Sequence, residues 1–154
     1  MVEMLAIAVD IDNTLFDSSE RWNICQQLKK KSEIWNCFFD PEKLSLDKPI
    51  FDVINIVKQY HESGYKVIIV TGRVEKLREA TIEQLKKFNV EFEMIFFRKD
   101  KDFRKDFEYK AEIIEELMKA GYKIELIIDD SEEVRKAVQQ RFGIKAIDPA
   151  EKKS

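Results

Sequence analysis

Asp10 and Asp12 stand where the apolar run Leu5–Val9 stops, and Asp129 and Asp130 stand where a second run, Ile124–Ile128, stops. In extended or just-unwinding backbone, residues two apart point the same way. The Asp10 and Asp12 carboxylates would therefore face one spot and repel each other unless a cation or a shared proton lies between them. Taken alone, Asp10-Ile11-Asp12 reads equally well as an acidic turn, because Asp and Asn are ordinary turn residues. Two further run ends change the balance. Lys66–Val70 leads into Thr71-Gly72-Arg73, a hydroxyl and a glycine before a helical pattern, and Glu93–Phe97 leads into the basic stretch from Arg98 to Asp106. Paired carboxylates, a hydroxyl beside glycine, and nearby Arg and Lys suit a divalent metal and a phosphate. Hard oxygen ligands favour Mg²⁺ over zinc, and no His or Cys cluster competes for the role. His61, the only histidine, is far from every motif and is assigned none.

Elements that could bring these residues together are visible in the patterning. The four apolar runs read as buried strands, with a fifth, short one at Ile144–Ile147. Helical spacing separates them. Ile50, Val53, Ile54, Val57 and Tyr60 follow Asp47 as a potential N-cap and Pro49 in the first turn, and Gly64 closes the segment. Further helices are predicted over about Val74 to Phe88, Tyr109 to Ala120 and Ser131 to Phe142. Alternating strands and helices imply crossover connections, hence an α/β, doubly wound, mostly parallel Rossmann-like sheet covered on both faces. In such sheets ligands bind beyond the carboxyl ends of the strands, where all the candidate residues fall. One stretch departs from this pattern. Residues 17–46 carry Trp22, Ile24, Leu28, Ile34, Trp35, Phe38 and Phe39 among polar and basic residues, and read as a small helical insertion, either a lid over the strand ends or an additional layer of core.

Composition narrows the classes. A chain of 154 residues with 37% charged and 44% hydrophobic residues, four Gly and three Pro has the make-up of one compact domain, 1–154. A formal net charge of -3 argues against tight non-specific binding to duplex nucleic acid, while leaving room for a local patch that holds one phosphate or a strand end. No apolar run approaches membrane-spanning length, and the first ten residues are too acidic for a signal peptide. Cys25 and Cys37 lie outside every motif and lack paired metal-ligand spacing, so they read as reduced thiols of a cytoplasmic protein.

The order of motifs resembles a known family. Asp10-Ile11-Asp12-Asn13-Thr14, Thr71-Gly72-Arg73, Lys110 at a helix start and Asp129-Asp130 match in sequence the four motifs of the haloacid dehalogenase (HAD) superfamily of phosphatases. Arg104-Lys105-Asp106-x-x-x-Lys110, with Arg21 eleven residues after Asp10, resembles more narrowly the 3′-phosphatase domain of phage-type polynucleotide kinase/phosphatase. Two departures stand out: Asn13 where that domain has glycine, and residues 17–46 where it has a much shorter connection. No Gly-x-x-x-x-Gly-Lys-Ser/Thr loop of a kinase half occurs.

The resemblance implies a Mg²⁺-dependent phosphomonoester hydrolase with an aspartyl-phosphate intermediate. Asp10 is then the nucleophile, and Asp12 the acid and base, with a pKa raised by neighbouring carboxylates. Thr71 and Lys110 would contact phosphoryl oxygens. Asp10, Asp12, Asp129 and Asp130 would surround the metal, and Arg21, Gly72, Arg73, Arg104 and Asp106 would lie on the substrate side. The implied substrate is a polynucleotide 3′-phosphate or a nucleotide. A small phosphorylated metabolite is the alternative of the same mechanism, and a phosphate-binding protein without turnover is the alternative of another class.

Overall fold

The computed structural model describes residues 3–151. Its central sheet is made of β1 (Met4–Val9), β4 (Lys66–Val74), β5 (Met94–Arg98), β6 (Tyr122–Ile128) and β7 (Lys145–Ile147), in the order β5-β4-β1-β6-β7. All its pairings are parallel. The first strand to be made is thus central, and the chain winds outward from it in both directions, giving the predicted doubly wound sheet. A separate two-residue ribbon pairs β2 (Phe16–Asp17) antiparallel with β3 (Lys48–Pro49).

The period-two alternation of strands divides the core. Ile7 and Val9 of β1 and Val67 and Ile69 of β4 pack with Val53, Ile54 and Val57 of α3 (Phe51–Glu62) and Leu85 of α4 (Arg78–Lys87). Ala6, Ala8, Ile68 and Val70 face the other way. They meet Ile114 and Leu117 of α5 (Asp106–Lys119) and Val134 and Val138 of α6 (Glu132–Phe142). On β6, Ile124 and Ile127 share the second face although they are an odd number apart. A register shift between Ala6 and Ile7 skips Glu125, which stays exposed while its neighbours keep to their faces.

Three local expectations are corrected. Asp47 does not cap α3: the N-cap position is Ile50, and the Asp47 carboxylate is buried elsewhere. Pro49 lies in the ribbon, where its missing N–H costs nothing. Finally α5 begins at Asp106, so Lys110 lies in its second turn rather than at the helix start. Ser131 caps α6 by accepting from the Val134 N–H at 3.3 Å, which leaves Asp129 and Asp130 free of that duty.

Between the strands of the ribbon lie α1 (Ser19–Cys25), α2 (Lys31–Phe38) and a 3₁₀ turn, Pro41–Leu46. Cys25 and Cys37 form a disulfide joining α1 to α2, which corrects their reading as reduced thiols. The helical hairpin brings their Cα atoms to 5.5 Å, a proximity that a spacing of 12 residues does not reveal. With the thiols paired, they give no argument for a cytoplasmic location. Among the described residues no helix is long and apolar enough to cross a membrane. Closing a loop of this size removes unfolded-state entropy worth about 3 kcal/mol. The double variant Cys25→Ser/Cys37→Ser is expected to lose about that much stability in urea unfolding, and reductant should have no further effect on it.

Candidate active site

The Asp10 N–H continues the β1–β6 ladder by donating to the Ile128 carbonyl at 3.0 Å, and the chain then turns. The N–H groups of Thr14, Leu15 and Phe16 all converge on the Ile11 carbonyl. Asn13 takes φ 60 in this turn, and its side-chain oxygen accepts from the Ser18 N–H at 3.2 Å. Left-handed backbone is what glycine and asparagine tolerate best, so asparagine suits position 13.

The turn fixes Asp10 from two sides. Its Oδ2 accepts from the Thr14 hydroxyl at 3.1 Å, and its Oδ1 from Lys110 Nζ at 3.0 Å. Lys110 is 3% exposed and also donates to Asp129 Oδ2 at 2.7 Å, with Asp106 Oδ2 at 3.3 Å. One buried ammonium thus faces three carboxylates. Burial alone would lower its pKa, but Asp10, Asp129 and Asp106 hold it well above the usual lysine range.

Oxygens of Asp10, Asp129 and Asp130 lie within 4.8 Å of one another. Burial and then the charge of Asp10 push the Asp129 carboxyl up. Asp130, whose surface still reaches solvent, is pushed the same way by partial desolvation and by Asp10 and Asp129. An all-carboxylate donor set whose members resist ionising together fits a hard divalent cation, and the Asp129 Oδ1 is steadied by the Ser131 N–H at 3.0 Å. The Asp12 side chain is not a member of this group.

Asp12 faces two arginines instead. Arg73 donates Nε to its Oδ2 at 3.2 Å and Nη2 to its Oδ1 at 2.9 Å, and Arg21 donates Nη2 to its Oδ1 at 2.6 Å. Burial raises its pKa, but Arg73 and then Arg21 outweigh that and leave the carboxyl below its ordinary value. The expectation of a raised pKa is corrected: the neighbours that decide it are guanidiniums, not carboxylates.

Both arginines are completely buried, and their remaining donors are spent inside the protein. Arg73 also bonds Thr81 at 3.0 Å, Gln84 at 2.8 Å and Asp47 Oδ2 at 3.1 Å. Arg21 grips both Asp47 oxygens, at 3.0 and 3.1 Å, and donates Nη1 to the Phe38 carbonyl at 2.6 Å. Neither guanidinium is offered to an open surface; each holds Asp12 from behind. Sequence reasoning missed Asp47, whose only visible feature was a helix-capping context, and Gln84 and Thr81, which look like ordinary positions of a helix. Thr14 stood inside the quoted motif without a role.

The other substrate-side positions separate into two groups. Gly72 lies against Asp106, and a Cβ there would sit 2.8 Å from the Asp106 Oδ1, so a side chain at this position would force that carboxylate to move. Asp106 is itself held by Arg98 Nη2 at 2.5 Å. Thr71 is buried, its hydroxyl oxygen accepting from the Arg73 N–H at 3.1 Å. Arg104 is paired with Asp102 at 2.7 Å and with Glu112.

Stability should report on the acidic group. The raised folded values of Asp129 and Asp130 mean that protonation favours the folded, metal-free protein. Its stability falls as pH rises from the usual carboxylate range through those values. Asp12 acts oppositely, its contribution being lost as pH falls through its depressed value. In chelator, melting is expected to be highest at mildly acidic pH and to decline toward alkaline pH. Saturating Mg²⁺ should stabilise by about 2.7 kcal/mol at a hundredfold excess over Kd, with the larger effect on the alkaline side. A melting temperature indifferent to Mg²⁺ at every pH would remove the metal assignment.

The family model of the polynucleotide kinase PNKP phosphatase domain matches residues 4–151. The chain belongs to that family. It is accordingly a HAD-type phosphatase domain, with three of the quoted motifs at the carboxyl ends of β1, β4 and β6 and the fourth, Lys110, in α5. No curated protein matches the chain. Among solved structures, a chain of the Pnkp1/Rnl/Hen1 RNA repair complex superposes with TM-score 0.76 at 23% identity, covering 95% of this chain and 42% of that one. A class C acid phosphatase from Bacillus anthracis with tungstate bound gives TM-score 0.65 at 19% identity over 96% of this chain and 67% of that one. The HAD-hydrolase YfnB from Bacillus subtilis, bound to magnesium, gives 0.64 at 16% identity over 94% and 88%. These likenesses establish the fold. The PNKP-type domain described here spans less than half the length of the RNA-repair chains it resembles.

Proposed function

We propose that this domain is a Mg²⁺-dependent phosphomonoester hydrolase whose substrate is the 3′-phosphate end of a polynucleotide or nucleotide. The observation that carries the reading is Asp10 itself: a buried carboxylate held by Lys110 and Thr14 with the oxygens of Asp129 and Asp130 close by. A magnesium ion bound by Asp10, Asp129 and Asp130 would act as a Lewis acid toward the phosphoryl oxygens. Asp10 attacks phosphorus in line, forming an Oδ–P bond as the ester P–O bond breaks. Lys110 and Thr71 offset charge on the phosphoryl oxygens. Asp12, held as a carboxylate by its arginines, is suited to take a proton from the water that hydrolyses the aspartyl-phosphate. The leaving alkoxide needs a proton in the first step. A phosphomonoester bound as its monoanion carries that proton on a phosphoryl oxygen, and the alkoxide takes it as the P–O bond breaks, leaving Asp12 ionised for the second step.

The domain acts as one unit over 1–154, of which residues 1–2 and 152–154 lie outside the described structure, and residues 17–46 form a cap anchored on Asp12 through Arg21. Gly72, Asp106 and Arg104 lie on the substrate side. The membership of one relative in an RNA repair complex supports a nucleic-acid end as substrate. Turnover of a 3′-phosphorylated oligonucleotide, its 5′-phosphorylated isomer, a sugar phosphate and an aryl phosphate, with and without Mg²⁺, tests the reading. Highest kcat/KM on the 3′-phosphorylated end supports it. Preference for the sugar phosphate makes the protein a metabolite phosphatase, and no turnover of any of them makes it a phosphate-binding protein.

A further inference from the structure

The hairpin of α1 and α2 leaves large aromatic rings in solvent. Trp22 is 37% exposed and Trp35 is 39% exposed, their centroids 5.7 Å apart and their planes inclined by 44°. They are not loose side chains. Trp35 stacks on Phe39 at 5.5 Å and 20°, Trp22 packs edge-on to Phe38 at 5.5 Å, and the Cys25–Cys37 disulfide ties the two helices that carry them. The turn between the helices and the first residue of α2 present Lys29, Lys30 and Lys31, all exposed, in a chain of net charge -3. Exposed Glu20 and Glu33 accompany them, so the hairpin surface carries a small net positive charge.

The patch joins the site through one residue. Arg21, next to Trp22, lies under the Phe38 ring at 4.1 Å and donates to Asp12. Fixed, exposed aromatic rings and exposed lysines on one short hairpin are what a single strand requires: π-faces for its bases and cations for its backbone.

We infer that Trp22 and Trp35, with Lys29, Lys30 and Lys31, form a stacking platform for single-stranded nucleotides that precede the reacting end. This rests on the 3′-end reading of the site for its purpose, but the platform binds bases and backbone whether or not a terminal phosphate is present. The lysine rim favours this occupant over a protein face.

The test uses the whole domain and an unphosphorylated, fluorescein-labelled oligothymidylate, with binding followed by anisotropy at several salt concentrations. Trp35→Leu is expected to weaken binding by at least roughly 5-fold, the lower bound for one lost base stack. Lys29→Gln/Lys30→Gln/Lys31→Gln, altering exposed positions that fold does not depend on, is expected to reduce the slope of log K against log salt by about 2. Wild-type protein that fails to bind, or binding that both variants leave unchanged, overturns the platform. Hydrolysis of the 3′-phosphorylated oligomer is measured in parallel. Binding that depends on these residues without hydrolysis keeps the platform and removes the 3′-phosphatase reading. Hydrolysis without that dependence does the reverse.

Discussion

Asp10→Asn is expected to lose at least about 10⁴-fold in turnover, on the scale seen when a covalent nucleophile is removed. The substitution is nearly isosteric, and the neutral amide oxygen can still accept from Thr14 or Lys110, whose present contacts are 3.1 and 3.0 Å. What disappears is the attacking anion. The same change removes one of the negative charges crowded around a single ammonium. The metal-free variant should therefore melt no lower than the parent, while its stabilisation by Mg²⁺ shrinks. Steady-state kinetics paired with melting curves separate a chemical defect from a structural one. An Asp10→Asn protein that turns over like the parent would remove the aspartyl-phosphate route.

Lys110→Met gives the opposite pairing. Methionine fills a similar volume but leaves Asp10 and Asp129 without the ammonium that lies 3.0 and 2.7 Å from them. Breaking a buried ion pair from one side costs roughly 3–5 kcal/mol, so the metal-free variant should unfold far more readily than the parent. Mg²⁺, binding the same carboxylates, should recover part of that stability and none of the phosphoryl stabilisation. The recovered protein should remain roughly 10²- to 10³-fold slower. Urea unfolding with and without Mg²⁺, followed by kinetics on the folded protein, checks both halves. Unchanged stability in chelator would mean that Lys110 does not balance the acidic group.

The fold was legible because its determinants are local. Apolar runs that stop at Asp10, Thr71, Arg98 and Asp129 state both the strands and the ends that face the ligand, and helical spacing between them imposes the parallel crossovers. The part of the site carried by strand ends followed for the same reason. What escaped depends on contacts between residues distant in sequence. Asp47, in a Leu-Asp-Lys-Pro context, carries no sign that Arg21 and Arg73 will converge on it. The direction of the Asp12 shift depends on those same arginines, which in the sequence look as ready for substrate as for a carboxylate. The cysteines were misread because a pair spaced by 12 residues becomes adjacent only after a helical hairpin has formed.

The two-residue ribbon of Phe16–Asp17 and Lys48–Pro49 has a consequence for how this domain can change. By holding both ends of the intervening segment together, it makes a neck at which chain can be added, trimmed or exchanged while the sheet keeps its strand order. The exchange is not free. Arg21 and Asp47 travel with the segment yet complete the setting of Asp12, so a replacement that fits the neck but omits them inherits an Asp12 carboxylate held by Arg73 alone. Modularity of shape and dependence in chemistry are built into the same junction.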